Sequence, residues 1–598
     1  MNISTNKYLF RTYKKYLGKR LYIVFFLTLV AAFLEGFGIT LLLPLIEMAD
    51  ASEVSYDSPV SKAIHAVLTF FGMAGSIGAT LVFIAIIFLF KGVFKFLEQS
   101  YRGFLSTQLM QELKEKVYDS YNSMDYQYFI KKNTGHFINI LNVQIFNALT
   151  AFGSYIGFLT STIMAISYLI IAFLITWNFA LMAIGIGFVI LILFKSLNVY
   201  VRKISRKTAR EHTVLNKFLI QTLQSFKYII STGQKNHFRE GVIKSVDLLR
   251  GYMVRQKIAQ AFTTSMQEPV SVIFMISIVA IQVLVFEAEV GPILVALVLF
   301  YRGLRAVINV QTQWQGVMNL MGSIELLEED IKATKFNQEI NSSIKIKDFS
   351  SDIRFENVTF SYDNKDGSVI KNLNLYVPAK KTVAFVGESG AGKTTIADML
   401  SLLLMPQNGR IFIDGVDVAN IDKNSWRKQI GYVSQETVVF DDTIANNICL
   451  WQGDFNKNEA VAMRIKESAQ KAFANFFIDE LPDGYNTIVG ERGVRLSGGQ
   501  RQRLFIAREL FKSPSFLILD EATSALDSES ERYIQEGIDL LKGEITVVII
   551  AHRLSTIKNA DIIYVLDRGK IVEQGTFEEL NRNSDSKFSK MVAVQSVN

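Results

Sequence analysis

The sequence predicts a chain in two parts: an all-α membrane domain with six spanning helices, then an α/β domain built around a phosphate-binding loop. Three observations predict it. Long uncharged apolar runs fill residues 18–325, whereas residues 340–598 mix polar and apolar residues as water-soluble α/β sequence does. Mean hydropathy is +0.23 although 20% of residues are charged, so the apolar residues must be concentrated in one half. A glycine-rich stretch, Gly387-Glu388-Ser389-Gly390-Ala391-Gly392-Lys393-Thr394, lies between a strand pattern and a helical one.

Composition removes several classes. The 598 residues carry 63 Lys+Arg and 56 Asp+Glu, so 63 − 56 = +7. A single cysteine, Cys449, excludes an intrachain disulfide framework and a Cys-ligated metal cluster. Eight prolines and no low-complexity tract argue against a largely disordered chain. Beside apolar spans, the positive balance reads as loop cations that set topology, with no nucleic-acid partner.

A helix needs about 20 apolar residues to cross lipid, and it satisfies its own backbone polar groups while doing so. Such segments are Leu21–Leu45, Gly75–Phe96, Phe152–Thr176, Phe179–Phe194, Pro269–Phe286 and Pro292–Ile308. The first is too long for a signal-peptide core, so it is expected to stay. Lys14, Lys15, Lys19 and Arg20 precede it and place the N-terminus in the cytoplasm. Tyr8–Tyr16 interleaves aromatics with cations, as an interfacial helix does.

Spans five and six are joined only by Glu287–Gly291, a tight outside hairpin. Residues 98–150 and 195–268 are long, polar and helical in period, so they extend the helices into the cytoplasm as two hairpins. Breaks at Asp125–Lys132 and Ser225–Gln234 read as transverse helices at the hairpin tips, or as solvated loop. Between spans one and two, Val60, Ile64, Val67, Leu68 and Phe71 form one stripe, either of an outer-surface amphipathic helix or of the start of span two.

Ionisable residues inside spans are costly and mark candidate function. Glu35 lies mid-span. Lys91, Lys95, Glu98 and Arg102 share one face of the second helix, and Arg302, Arg305 and Asn309 one face of the sixth, about 15 Å into it. Glu35, Lys91, Lys95, Arg302 and Arg305 are the candidate substrate cavity, a cationic interior for a phosphate or pyrophosphate. The competing reading pairs these cations internally with Glu35 and Glu98.

In the second part, the glycine-rich stretch is G-x-x-x-x-G-K-[ST] between strand and helix, the P-loop context. Its N–H groups and the helix N-terminus suit phosphate oxygens. Lys393 reaches the β and γ phosphates, and the Thr394 hydroxyl ligates Mg²⁺. Further on, the strand Phe516–Leu519 delivers Asp520 for the metal shell and Glu521 to polarise the attacking water.

Leu496-Ser497-Gly498-Gly499-Gln500 resembles the signature motif of ABC transporters, and other elements of that family follow in order. Tyr362 resembles the adenine-stacking aromatic, Gln435 the Q-loop glutamine and a further metal contact, Asp527 the D-loop aspartate, and His552 the switch histidine. Gly490-Glu491-Arg492-Gly493 is similar to an exporter loop that touches the membrane helices. The resemblance covers essentially the whole chain and is to the type IV exporter half-transporter: a membrane all-α six-helix ABC exporter transmembrane domain plus an α/β P-loop NTPase domain. No segment resembles the cysteine peptidase of peptide-processing exporters. The expected organisation is 1–335 transmembrane domain, 336–352 linker and 353–598 nucleotide-binding domain.

The resemblance implies ATP and Mg²⁺ as cofactors and an ATP hydrolase coupled to transport. Its site would be Gly387, Ser389, Gly390, Gly392, Lys393, Thr394 and Thr395, with Tyr362, Asp520, Glu521, Gln435, Asp527 and His552. Ser497, Gly498, Gly499 and Gln500 would complete the site of a second copy, so a homodimer with two competent sites is expected. The segment Leu34–Leu45, the external helix and the Tyr301-Arg302 pair are similar to bacterial lipid-linked oligosaccharide flippases; the proline often found after that pair is absent. The implied activity is a flippase for an amphipathic, lipid-linked anionic substrate, working by alternating access in a bacterial inner membrane. The alternative is a multidrug or general lipid exporter. A soluble ABC ATPase of DNA maintenance would have no spans, and an ABC-type channel or regulator usually shows degenerate catalytic residues.

Overall fold

The computed structural model describes residues 3–42, 66–70, 72, 76–175, 184–185, 188, 192, 194–284, 290–362, 367–521, 528–551 and 553–596. It divides into two compact units, Met1–Met124 with Tyr128–Gln338, and Asp125–Gln127 with Glu339–Asn598.

The first unit is helical. Its principal helices are α1 (Ile3–Leu17), α2 (Leu21–Thr40), α3 (Ile77–Asn122), α4 (Ile145–Ile175), α5 (Lys195–Gln224), α6 (Lys235–Ser265), α7 (Gln267–Leu284) and α8 (Val290–Phe336). Among the described residues, three helical stretches are long and apolar enough to cross a membrane: Thr5–Thr40, Ile77–Asn122 and Thr134–Ile171. The expected fifth and sixth spans fall on α7 and α8; most of the fourth, and most of the hairpin between five and six, lie outside the described residues.

Helix α3 has 46 residues, roughly 70 Å at 1.5 Å each, about twice a hydrocarbon core. Composition changes along it accordingly. Its first half turns Leu81, Val82, Leu89, Phe90 and Val93 outward, as lipid-facing sequence does, while its second half is polar and turns Leu105, Leu109, Leu113 and Val117 inward. The breaks expected at the hairpin tips hold the short helices Tyr126–Ile130 and Phe226–Ser231. Of the external stripe, Val67 and Leu68 are described and helical; Leu68 is buried with Leu41 and Ile87, and Val60, Ile64 and Phe71 lie outside the described residues.

Past the apolar lengths, polar pairs join the helices. Asp330 of α8 accepts from Tyr121 Oη of α3 at 2.6 Å and meets His136 Nε2 at 2.6 Å. Glu325 receives Arg202 and Arg206 of α5, each at 2.5 Å. Burial alone would push the Glu325 carboxyl up, but the two guanidiniums hold it below its ordinary value.

The second unit contains two sheets. Strands β1 (Asp352–Phe360), β2 (Ile370–Pro378), β4 (Asn408–Ile413) and β5 (Val416–Asp417) form an antiparallel sheet in the order β2-β1-β4-β5. Strands β3 (Thr382–Gly387), β6 (Ile430–Val433), β7 (Phe516–Asp520), β8 (Thr546–Ile550), β9 (Ile562–Asp567) and β10 (Lys570–Gly575) order as β10-β9-β3-β8-β7-β6. All but the β9–β10 pair run parallel. Every residue of β3, β7 and β8 is buried, which explains their unbroken apolar runs. In such sheets ligands gather beyond the carboxyl ends of the strands, where β3, β6 and β7 deliver the motif residues.

Candidate functional site

β3 ends at Gly387 and the chain curls into α9 (Lys393–Leu400). Two glycines make the curl possible. Gly390 sits at φ 80° and Gly392, the residue before the helix, at φ 102°, both left-handed; a Cβ on Gly392 would stand 2.6 Å from Ile370 Cδ1. The first N–H groups of α9, which have no intrahelical partner, therefore face the loop. Lys393 is buried and its Nζ donates to Gly387 O at 2.8 Å and Glu388 O at 3.1 Å. Burial lowers the Lys393 ammonium below its ordinary value, and Glu521 and Asp520 oppose that shift, so the three charges share one site. Thr394, Ser389 and Gly390 are exposed at the mouth of the loop.

Asp520 is buried at the end of β7. Glu521 follows at φ 53°, with its N–H tied to Ile550 O at 3.0 Å. That left-handed backbone is unfavourable for a glutamate and directs its carboxylate to Gln435, whose Nε2 donates to Glu521 Oε2 at 2.6 Å. Tyr362 is half-buried, bonds Thr395 Oγ1 at 3.2 Å and stands edge-on to Phe360.

The structure thus brings Lys393, Asp520, Glu521 and Gln435 together, with Tyr362 against the base of α9. Asp527 and His552 lie outside the described residues. Among the described residues no cluster of three His, Cys, Asp or Glu could hold a metal, so a cation here would depend on hydroxyl, amide and carboxylate donors such as Thr394, Gln435 and Asp520 together with phosphate oxygens.

Ser497 begins α10 (Gly498–Phe511) in a capping box: its Oγ accepts from Gln500 N at 3.2 Å, and Gln500 Oε1 accepts from Ser497 N at 2.8 Å. Ser497 and Gly498 are exposed, and Gly499 is buried. The far end of α10 carries residues that sequence reasoning missed. Arg508, 3% exposed, donates to Asn447 O and Val438 O, both at 2.6 Å. Burial pulls its pKa down to about 10, so it stays charged at neutral pH. Glu509 accepts the Tyr432 N–H at 3.0 Å, three residues before Gln435. The signature helix is thereby bonded to the segment that carries Gln435. The only signal in the sequence is the pair of adjacent charges in Ala507-Arg508-Glu509-Leu510, which the structure places in a helix buried from Gln502 to Phe511. Asp398 of α9 was also missed; burial raises it to about 6.

The cations of the membrane unit are not arranged as a free cationic lining. Glu35 is 4% exposed and is held between Lys91 Nζ at 2.9 Å and Arg302 Nη1 at 2.8 Å. Lys95 pairs with buried Glu98 at 2.8 Å, and Arg102 bonds Gly153 O. Internal pairing therefore describes α3, because an uncompensated charge in lipid is costlier than a pair. Arg302, Arg305 and Asn309 do share an exposed face of α8.

A phosphate-binding loop with two strand-end carboxylates, carried on one chain with membrane helices, defines a membrane-embedded P-loop ATPase. The ABC transporter model matches residues 370–524, and the ABC transporter transmembrane region residues 21–304. An ATP-dependent lipid A-core flippase of Haemophilus influenzae (strain 86-028NP) is 32% identical over 499 residues, 82% of this chain and 83% of that protein. The heterocyst differentiation ATP-binding protein HepA of Nostoc sp. is 31% identical over 490 residues, 82% and 80% of the two chains. A bacterial Atm1-family ABC exporter with ATP bound superposes with TM-score 0.82 over 97% of this chain and 99% of that one, at 24% identity, which shows the fold. The chain belongs to the ABC transporter family. It is an ATP-binding exporter that couples ATP hydrolysis to transmembrane transport.

Proposed function

We propose that this chain is one half of a homodimeric flippase that moves an amphipathic, lipid-linked anionic substrate across a bacterial inner membrane by alternating access. The observation that carries the reading is the exposed Arg302-Arg305 face beside a buried carboxylate, Glu35, which is shared by Lys91 and Arg302. A phosphate or pyrophosphate can take the place of Glu35 on Arg302, whose side chain is 44% exposed and open to exchange. The lipid A-core flippases among the relatives support an anionic lipid cargo.

In this reading residues 1–335 form the transmembrane domain, 336–352 the linker and 353–598 the nucleotide-binding domain, with the N-terminus cytoplasmic. Tyr362 stacks on adenine; Gly387, Ser389, Gly390, Gly392, Lys393 and Thr395 hold the phosphates; and Thr394, Gln435 and Asp520 hold Mg²⁺, which would supply charge neutralisation at the phosphates. Glu521 orients the water and accepts its proton as the oxygen bonds to the γ-phosphorus and the bond to the ADP oxygen breaks. His552 contacts the γ-phosphate. Ser497, Gly498, Gly499 and Gln500 of one copy, with Asp527 near the junction, close the site of the other. ATP then acts by binding the closed pair more tightly than the open one.

The test is ATPase activity in proteoliposomes against polyprenyl-pyrophosphate glycans, neutral lipids and amphipathic drugs. Stimulation by the anionic lipids that is lost in Arg302→Ala and Arg305→Ala supports the reading. Equal stimulation of all three proteins by every anionic substrate overturns it, and stimulation by drugs alone favours a multidrug exporter.

A further inference from the structure

Glu388 places an acidic side chain inside the loop read as receiving phosphates. It follows Gly387, and its carbonyl oxygen accepts from Lys393 Nζ at 3.1 Å. Its carboxylate therefore stands within about 10 Å of that ammonium, one Debye length at about 0.1 M salt, where an uncompensated negative charge repels an incoming anion. The compensation comes from a distant part of the chain. Lys587 Nζ lies 3.2 Å from Glu388 Oε1 and 2.9 Å from Asp567 Oδ1. Asp567 ends β9 and leads into the β9–β10 turn, whose Gly569 N–H donates to Ala391 O of the loop at 3.2 Å. One ammonium thus ties the carboxylate of the loop to the turn that already grips the loop.

The backbone around Lys587 is fixed independently of this contact. Lys587 is the first residue of the last described helix, α11 (Lys587–Ser596). Glu573 of β10 accepts the N–H groups of Lys587 at 2.6 Å and Phe588 at 3.0 Å, and Ser586 Oγ accepts that of Ser589 at 2.9 Å. Phe588 is fully buried, and its ring stands edge-on to Phe577 with centroids 5.4 Å apart. With the helix start held in this way, keeping the lysine at the loop costs less side-chain entropy than in an ordinary surface pair.

The Lys587 side chain is 27% exposed and that of Glu388 73% exposed, so the contact supplies place and charge more than stability. Without the ammonium, the carboxylates of Asp567 and Glu388 repel each other, and the exposed Glu388 turns toward the open mouth of the loop at Ser389 and Gly390. We propose that Lys587 is a positioning residue for nucleotide binding: it offsets the charge of Glu388 and keeps that carboxylate off the path of the phosphates. The proposal rests on the reading that this loop holds the phosphates of ATP.

The experiment measures equilibrium binding of magnesium-ATPγS to the purified full chain in detergent, by titration calorimetry at two salt concentrations. At about 0.01 M salt, Lys587→Gln is expected to weaken binding about fourfold, the effect of one unpaired carboxylate about 10 Å from the two net charges of the magnesium complex. At about 0.5 M salt, where the Debye length falls to about 4 Å, the gap should close to less than about 1.5-fold. Adding Glu388→Gln removes the stranded carboxylate and should return the double variant to within about 1.5-fold of wild type at low salt. A loss that persists at high salt or in the double variant belongs to the docking of α11 and overturns the proposal. So does unchanged affinity in Lys587→Gln while Lys393→Ala loses binding. Wild-type binding in Lys393→Ala would instead overturn the phosphate-loop reading, and the proposal with it.

Discussion

Replacing Glu35 by Gln keeps the volume of the side chain and removes the one charge that Lys91 and Arg302 share. Each contact, at 2.9 and 2.8 Å, is worth about 6 kcal/mol gross at an effective dielectric of 20. Most of that is offset by desolvation, and removing one member of a buried pair costs about 3–5 kcal/mol in practice. Arg302, 44% exposed, can rehydrate and contributes little to the loss, whereas Lys91, 21% exposed, cannot rehydrate as freely. The expected cost is about 3 kcal/mol, roughly two powers of ten in the unfolding equilibrium. Unfolding of the membrane unit by SDS, in matched micelles and followed by tryptophan fluorescence, measures it. Because the loss comes from a stranded ammonium, adding Lys91→Met should restore more than half of it, a coupling that a double-mutant cycle isolates. An unchanged midpoint in Glu35→Gln, or no recovery in the double variant, would refute the assignment of the cost to charge.

Glu521→Gln is expected to leave ATP binding within a few-fold of wild type and to lower turnover by about 10²–10⁴, the usual range for loss of a general base; retained phosphate release would remove Glu521 from that role. Gly392→Ala forces a Cβ to within 2.6 Å of Ile370 Cδ1 at φ 102°, so it should cost about 1–3 kcal/mol and weaken ATP binding, measured by thermal unfolding with and without nucleotide. Glu339 is held between Arg427, at 2.5 Å, and Lys423, at 3.5 Å. Burial alone would raise its carboxyl, but these cations keep it below the ordinary value of 4.5. Its folded value is depressed, so its contribution is present above about pH 4.5 and lost as pH falls through the folded value. Arg427→Gln should therefore destabilise the second unit by about 1 kcal/mol at pH 7, with the gap from wild type narrowing below pH 4.5 in thermal melts; a constant gap would point to packing instead.

The candidate ATP site was legible where its parts are local. A glycine pattern, a lysine and a threonine belong to one turn, and Asp520-Glu521 closes a five-residue buried strand, so each motif carries its own backbone setting. The contact of Gln435 with Glu521 joins residues 86 apart and depends on β6 lying beside β7, which no spacing announces. Arg508 and Glu509 escaped notice for the same reason: their partners near 432–447 are set by how α10 packs on the sheet edge.

Periodicity, apolar length and motif spacing were enough to establish two parts, spans that extend past the lipid, and a phosphate loop feeding two carboxylates, because each is a property of contiguous chain. Whether a cation in a span faces cargo or a counter-ion is a property of helix rotation and neighbours. Glu35 meets Arg302 across 267 residues. That pairing and the Glu325 and Asp330 networks exist only once the helices are packed, since the energy that creates them is the cost of leaving a buried charge or hydroxyl alone.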